Sequence, residues 1–413
     1  MRAALIVGLM AMVFGAGLLA GRYRTLPATG AAAAPELENA ANFAILEETW
    51  RVIQEDYVDL ANVDEDALIY GASEGMVEAL GDTGHSRFLN PDDAKVFSRS
   101  MSGRRIGVGI RLEQVGDQVV VAGVIPGTPA ESAAIEQGDV IIAVDGQELD
   151  RLSREEISDL FQGEEGTLLN LTLLRSGERE PFELSVEREL LDIEPVSWGM
   201  LPDDVGLIHI SEFSAGAADG LQKAIEGVRG RGATAIVLDL RDNPGGLVFE
   251  AVAVASQFLP EDAVIFEQQQ RDGSISTFEA MPNGVALDLP VVVLINEGSA
   301  SAAEIVAGAL HDNDRARLLG ERTFGTGTVL SPVELDDGSL VVIGTGLWLT
   351  PDGQTFWKEG VDPDREIDLD VGVYPLGPED DSNITTRELM RSEDDQLRAA
   401  QEEASRLGVD QSS

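Results

Sequence analysis

Cysteine is absent and histidine occurs three times in 413 residues, at positions 85, 209 and 311. No disulfide framework, thiolate zinc site or cysteine nucleophile is open to the chain, and a centre built from several histidines is improbable. Catalysis must then rest on oxygen nucleophiles, carboxylates or a scarce base. Lysine is nearly as rare, confined to Lys95, Lys223 and Lys358, with arginine supplying the other positive charges. Basic residues number 29 against 74 acidic ones, a net charge of -45, so the surface repels nucleic-acid phosphates and anionic lipid. No nucleic-acid partner is expected. Hydrophobic residues make up 43% of the chain, enough for a core in each of two or three domains, which excludes wholesale disorder.

The run Ala3 to Gly21 carries no charge and is long enough to cross a bilayer as a helix. It reads as a signal anchor, or as a signal peptide cut near the small residues Ala28 to Ala34, over residues 1–24. Either way the globular part is expected outside the cytoplasm, in the cell envelope. A linker follows over 25–40. Leu46, Trp50, Ile53 and Tyr57, then Leu68, Ala72, Met76 and Leu80, recur at helical spacing and predict a helical cap over 41–100. It closes at the turn-forming stretch Gly81-Asp-Thr-Gly-His-Ser86.

From Gly103 short alternating strands take over, interrupted by Ile125-Pro-Gly-Thr-Pro-Ala-Glu-Ser-Ala-Ala134 and Gly138-Asp-Val-Ile-Ile-Ala-Val-Asp-Gly146. This region, 101–190, resembles a PDZ domain. The resemblance implies that Gly107, Val108, Gly109 and Ile110 form a carboxylate-binding loop, where free N–H groups and an open strand edge take a polypeptide C-terminus by strand addition. Strand-length apolar runs at Val205 to Ile210, Ala235 to Leu240 and Val291 to Ile295 then alternate with helical segments, an α/β layer pattern over 191–376. The remainder, 377–413, is acidic and polar and reads as a flexible or peripheral tail. The fold class is α+β multidomain: membrane segment, helical cap, PDZ-like β-rich module and α/β catalytic core.

Two loops carry the chemistry. Asp239-Leu-Arg-Asp-Asn-Pro-Gly-Gly-Leu247 follows a strand and turns on glycines that leave backbone N–H groups unobstructed, as an oxyanion hole requires. Asn296-Glu-Gly-Ser-Ala-Ser-Ala-Ala-Glu-Ile305 places Ser301 where a helix begins, facing the positive end of its dipole. Ser301-Ala-Ala-Glu304 is also a capping box, so the serine has a purely structural reading, and both roles can coexist. Asp239, Arg241 and Glu250 are expected to organise the glycine turn rather than to act chemically.

The order of these motifs, with Gly320-Glu-Arg-Thr-Phe-Gly-Thr-Gly327 and the closing Gly360-Val-Asp-Pro-Asp364, resembles the C-terminal processing (tail-specific) serine peptidases over residues 40 to 370. The resemblance implies a core fold like that of the processing peptidases and tricorn, and no metal or cofactor. It makes Ser301 the nucleophile and gives the oxyanion hole to Ala302 with Gly246 or Gly245. The chain departs from the family at one point. Lysine-dyad members carry Lys between the two glycines and Gln one turn on, where this chain has Thr326 and Leu330. Threonine cannot serve as a base at neutral pH.

Three replacements arise. Lys358 is near in sequence, but a surface lysine explains it as well. His311 lies about 15 Å from Ser301 along a straight helix and reads as structural. His85 resembles the histidine of the tricorn-like branch that deprotonates the serine, and Glu359 sits where that branch carries a completing glutamate. In lysine-dyad members a similar turn holds a histidine that is not catalytic. His209 interrupts an apolar strand and reads as half-buried and satisfied. The expected protein is an envelope-associated serine endopeptidase acting on polypeptides with free C-termini. The alternative is an inactive, peptide-binding scaffold, and a homo-oligomer stays open.

Overall fold

The computed structural model describes residues 24–26, 43–82, 86–115, 118–125, 127–149, 152, 154–175, 177–178, 180–370, 373, 375–378 and 383–411. The apolar run Ala3 to Gly21 and the linker from 27 to 40 lie outside the described residues. No helix among the described residues is long and apolar enough to cross a membrane. The linker's first residues are not linker in form, because strand β1 (Arg24–Leu26) joins a sheet of the core.

Helices α1 (Phe43–Asp56) and α2 (Glu65–Glu78) form where the spacing of apolar residues requires them. Asp64 caps α2 by accepting from the N–H groups of Asp66 and Ala67 at 3.0 and 3.2 Å. Neither helix buries a residue fully, so helical periodicity here marks an amphipathic face rather than a packed core. Strand β2 (Arg87–Leu89) and helix α3 (Pro91–Met101) complete the cap. Asn90 caps α3, and Pro91 supplies a preset first helical residue.

The PDZ module begins after β3 (Arg104–Gly107). It comprises β4 (Ile110–Val115), β5 (Gln118–Val124), the one-turn helix α4 (Pro129–Ser132), β6 (Val140–Val144), β7 (Gln147–Glu148), helix α5 (Arg154–Phe161), β8 (Leu168–Leu174) and β9 (Phe182–Glu187). Its sheet runs β4-β5-β6-β8-β9, with β7 on β6. Strand β8 shows why the strands form: Leu169, Leu171 and Leu173 point inward onto Val121, Ile141 and Val144, while the residues between them face outward. Strand β4 ends the sheet, so one of its edges has no strand partner among the described residues.

Strand β10 (Glu189–Asp192) returns along β3 and leads into the core. There β11 (Val196–Leu201), β12 (Val205–Ile210), helix α6 (Ala217–Gly230), β13 (Ala235–Asp239), helix α7 (Val248–Ser256), β14 (Val264–Gln270), β15 (Ile275–Glu279), β16 (Val291–Ile295), helix α8 (Ala302–Asp312), β17 (Ala316–Gly320), β18 (Thr328–Glu334), β19 (Leu340–Leu349) and β20 (Arg365–Glu366) follow in order. The central sheet is β11-β12-β13-β16-β17-β20, parallel from β12 onward. Strands β13 and β16 are buried at every residue, which is why Ala235 to Leu238 and Val291 to Ile295 read as unbroken apolar runs. Ile236, Leu238, Val291 and Val293 face α6, α7 and α8, while Val237, Val292 and Leu294 face the other side. A second sheet, β1-β15-β14-β19-β18 with β2 on β19, stands beside the cleft.

The C-terminal segment is not a peripheral tail. Helices α9 (Thr386–Leu389) and α10 (Asp395–Gln411) supply the second cover of the central sheet, with Leu397, Ala400 and Ala404 fully buried against Leu207, Val237 and Leu294. Of its acidic residues, Asp395 and Glu402 lie on the exposed side of α10, while Asp394 just before the helix is fully buried. The helix's inner face combines Leu397 with Ala399, Ala400, Ala404 and the polar Gln396 and Gln401, a mix whose small hydrophobicity leaves a weak sequence signal.

Candidate active site

Ser301 follows β16 through a loop that is tied down at each step. Ser299 Oγ donates to Leu240 O at 2.8 Å, Asn296 Oδ1 accepts from the N–H groups of Asp242 and Gly298, and Ala300 N donates to Asn243 O. These bonds lock the serine loop to the glycine-turn loop. Ser301 itself is held at φ 54°, ψ -112°, a conformation that an ordinary L-residue avoids at a cost of about 1–3 kcal/mol. The strain turns the chain sharply from strand to helix and leaves the side chain at the wall of a cleft of about 1310 Å³.

Glu304 holds this turn. Its carboxylate is fully buried and accepts four hydrogen bonds: Ser301 N and Thr326 N on Oε2 (2.8 Å each), and Thr323 Oγ1 and Gly325 N on Oε1 (2.6 and 2.7 Å). Burial pushes its pKa up, against four donors that favour the anion. The capping-box expectation is therefore half the story. The same carboxylate also fixes the Gly325-Thr326-Gly327 turn, and the amides of Ser301 and Thr326 lie at most twice 2.8 Å apart.

The glycine turn faces Ser301 directly. A Cβ on Gly245 would lie 2.7 Å from Ser301 Cβ and from Ala300 O. The Gly245 N–H is already given to Asn243 Oδ1 at 2.9 Å, so it is not free to bind an oxyanion. Phe213 accepts from Leu247 N and donates to Gly245 O, which brackets Gly246 and turns its own amide the other way. Among the described residues neither the Gly246 N–H nor the Ala302 N–H has an acceptor, and Gly246 lines the cleft. Asp239 and Arg241 anchor the base of the turn: the buried guanidinium pairs with Asp239 (2.7 Å) and with both oxygens of Asp394 (2.9 Å) at the start of α10. Arg241 holds Asp239 below the usual carboxylate range although burial pushes the other way. Glu250 does not organise this turn. It caps α6 instead, accepting from Gly216 N and Ala218 N at 2.9 and 2.8 Å.

Ser301, Gly246 and Thr326 thus meet at one cleft, with Phe249, Phe278 and Trp348 on its apolar walls. Thr326, which the resemblance sets at the dyad position, is buried. Lys358 and Glu359 are exposed on a turn behind it and are not among the cleft's lining residues. Lys358 Nζ donates to Gly81 O at 3.0 Å and lies over the Trp357 ring. His311 is engaged by Asp312 and Asp364 at the far end of α8. His209 is half-buried with Nδ1 unpartnered, so it is not the satisfied histidine expected. His85 lies outside the described residues. Its neighbours Asp82 and Ser86 are bonded to each other, and they reach Trp357 Nε1 and Gly344 N. In the PDZ module Val108 is buried, its carbonyl accepts from Ala130 N, and Gly109 takes φ 87° against Thr128, where a Cβ would overlap. Leu330 also lines the cleft.

The four-donor role of Glu304 and the Arg241–Asp394 pair were not legible beforehand. Each joins segments far apart in the chain, and only the Ser301-to-Glu304 spacing left a trace.

Comparison with known proteins agrees with this geometry. Residues 204–367 match the model of peptidase family S41, and residues 107–186 match the PDZ domain. The chain is 35% identical over 329 residues to the carboxy-terminal processing protease CtpA of Bacillus subtilis (strain 168), covering 80% of this chain and 70% of that protein. It is 35% identical over 342 residues to the carboxyl-terminal-processing protease of Synechocystis sp., covering 79% and 78%. A solved structure assigned to the S41 proteases, from Bacteroides fragilis NCTC 9343, superposes with a TM-score of 0.56 at 20% identity over 81% of this chain and 92% of that one, which shows the fold. With a strained serine at a strand-to-helix turn and these relatives, the chain belongs to peptidase family S41, among the PDZ-bearing C-terminal processing serine peptidases.

Proposed function

We propose that this protein is an envelope-associated endopeptidase that captures polypeptide C-termini in its PDZ module and cleaves upstream through an acyl-enzyme on Ser301. The observation that carries the reading is the strained Ser301 turn, with the unengaged amides of Gly246 and Ala302 beside the cleft. His85 takes the Ser301 proton as Oγ attacks the scissile carbonyl carbon, and the two amides receive the negative oxygen. The same imidazole returns its proton to the leaving amine, and water then hydrolyses the ester. Bonds that Asp82 and Ser86 accept from Trp357 Nε1 and Gly344 N favour His85, because they tie the residues on either side of it to the turn at Trp357 and to β19, the neighbour of β18, which lines the cleft. Open β4, starting at Ile110 after Val108 and Gly109, supports capture of a C-terminus by strand addition, while Gly107 ends β3 and pairs with Glu189 of β10. The uncharged run Ala3 to Gly21 supports placement outside the cytoplasm.

A serine-directed fluorophosphonate and an unfolded test protein check the mechanism. Wild type is expected to label and cleave, while Ser301→Ala and His85→Ala fall to background. Equal labelling of His85→Ala and wild type removes the histidine from the mechanism. Calorimetry with free and amidated peptides checks capture, and equal affinity for both refutes it.

A further inference from the structure

The cleft is polarised. Among its described lining residues the acidic side chains are Asp242, Glu279 and Glu297, two of them on the loops that hold the glycine turn and Ser301, and the one basic side chain is Arg87. Arg87 lies on β2, opposite Val342 of β19, and its guanidinium sits 5.4 Å from the Phe97 ring centroid. No carboxylate pairs with it among the described residues, although acids outnumber bases 74 to 29 in this chain. A solvent-accessible cation beside an aromatic face, the one basic side chain among the described lining residues of an otherwise acidic and apolar cleft, is arranged to meet an anion from outside.

The register gives its distance from the chemistry. Thr326 shares a Glu304 oxygen with Ser301, β18 begins two residues later at Thr328, and Pro332 of β18 pairs with Val342, the partner of Arg87. From Thr328 to Pro332 the strand advances about 13 Å, at about 3.3 Å per residue, and Arg87 stands two strands across from Pro332, about 10 Å to the side, a gap that its long side chain spans in part. An extended substrate lying along β18 covers that span in about four residues.

We propose that Arg87 is a specificity-determining residue that binds a substrate carboxylate about three to five residues from the scissile bond. The proposal rests on the Ser301 cleft being the peptidase site. The carboxylate is an aspartate or glutamate side chain, or the terminal α-carboxylate of a short substrate. The apolar walls take the residues between.

Amidated fluorogenic peptides test this, each with one glutamate scanned through six positions on either side of the cleavage site and each paired with a glutamine twin. Amidation keeps the PDZ module out of the measurement. Wild type is expected to prefer glutamate at one position by about tenfold in kcat/KM, as a charge-assisted bond predicts. Arg87→Gln should abolish the preference, Arg87→Lys should retain part of it, and Arg87→Glu should turn it toward lysine. A free-acid series ending at the same position shows whether an α-carboxylate serves equally. The twins are also titrated onto Ser301→Ala by fluorescence anisotropy, which needs no turnover. If the wild type neither labels nor cleaves, while twin discrimination on Ser301→Ala is lost when Arg87→Gln is added, the peptidase reading fails and the Arg87 site stands. Equal handling of both twins at every position, or a preference unchanged in Arg87→Gln, overturns it.

Discussion

Two glycines with nearly the same φ allow strain and crowding to be separated. Gly216 at φ 96° has open space where a Cβ would go, whereas Gly245 at φ 97° would place one 2.7 Å from Ser301 Cβ and Ala300 O and 2.9 Å from Ala302 N. Alanine at either position meets the left-handed penalty of about 1–2 kcal/mol. At Gly216 that should be the whole cost, a fall of about 2–8 °C in Tm for a domain of this size. At Gly245 the methyl needs about 1 Å more room, since carbon contacts settle at about 3.5–4.0 Å. The atoms in its way are backbone and the Cβ of Ser301, so the serine must move. A displacement of about 1 Å costs about 100-fold in rate. The assay is the rate of fluorophosphonate labelling and kcat/KM on folded protein, with thermal unfolding alongside. Gly216→Ala should stay within about twofold of wild type in rate, and Gly245→Ala should lose about two orders of magnitude and the larger share of stability. Equal losses in the two variants, or wild-type labelling by Gly245→Ala, refute the argument that this glycine exists to let the turn approach Ser301.

Thr326→Lys should restore a lysine base, because the amides of residues 326 and 301 share one Glu304 oxygen and a desolvated lysine titrates closer to neutral; labelling in a His85→Ala, Thr326→Lys double variant is expected to exceed that of His85→Ala alone. Glu304→Gln should lower both Tm and labelling rate, since its NH2 group would face donors that now meet a carboxylate oxygen, each unmet donor costing about 1–3 kcal/mol; a variant as stable as wild type contradicts the hub role. Asp239 has a lowered pKa in the folded protein, so its contribution to stability is present above its unfolded value and is lost as pH falls through the folded one. Arg241→Met strips that counter-ion from two buried carboxylates and should destabilise the protein by about 3–5 kcal/mol at neutral pH, with the loss shrinking toward acid, as followed by denaturant unfolding across pH 3 to 7.

Much of the core was legible because its rules are local. Strands buried on both faces are apolar nearly throughout, so the runs Ala235 to Leu240 and Val291 to Ile295 announced an α/β layered core. Glycines beside Pro244 and a serine three residues before Glu304 likewise announced a tight turn and a helix start. Apolar residues at helical spacing in α1 and α2 determined helices but not burial, since periodicity states which residues share a face and not what lies against it. The tertiary structure decided the rest. It chose Gly246 over Gly245 as the free amide, because Asn243 reaches back to the latter. Folding also brought Asp394 across 153 residues to Arg241, and residues 323 to 326 onto Glu304, turning an acidic tail into a structural layer and a helix cap into the hub of the site. Such contacts leave no spacing in the chain, because a buried charge constrains only the polarity and position of its partner in space, and any segment that the fold delivers there can supply it.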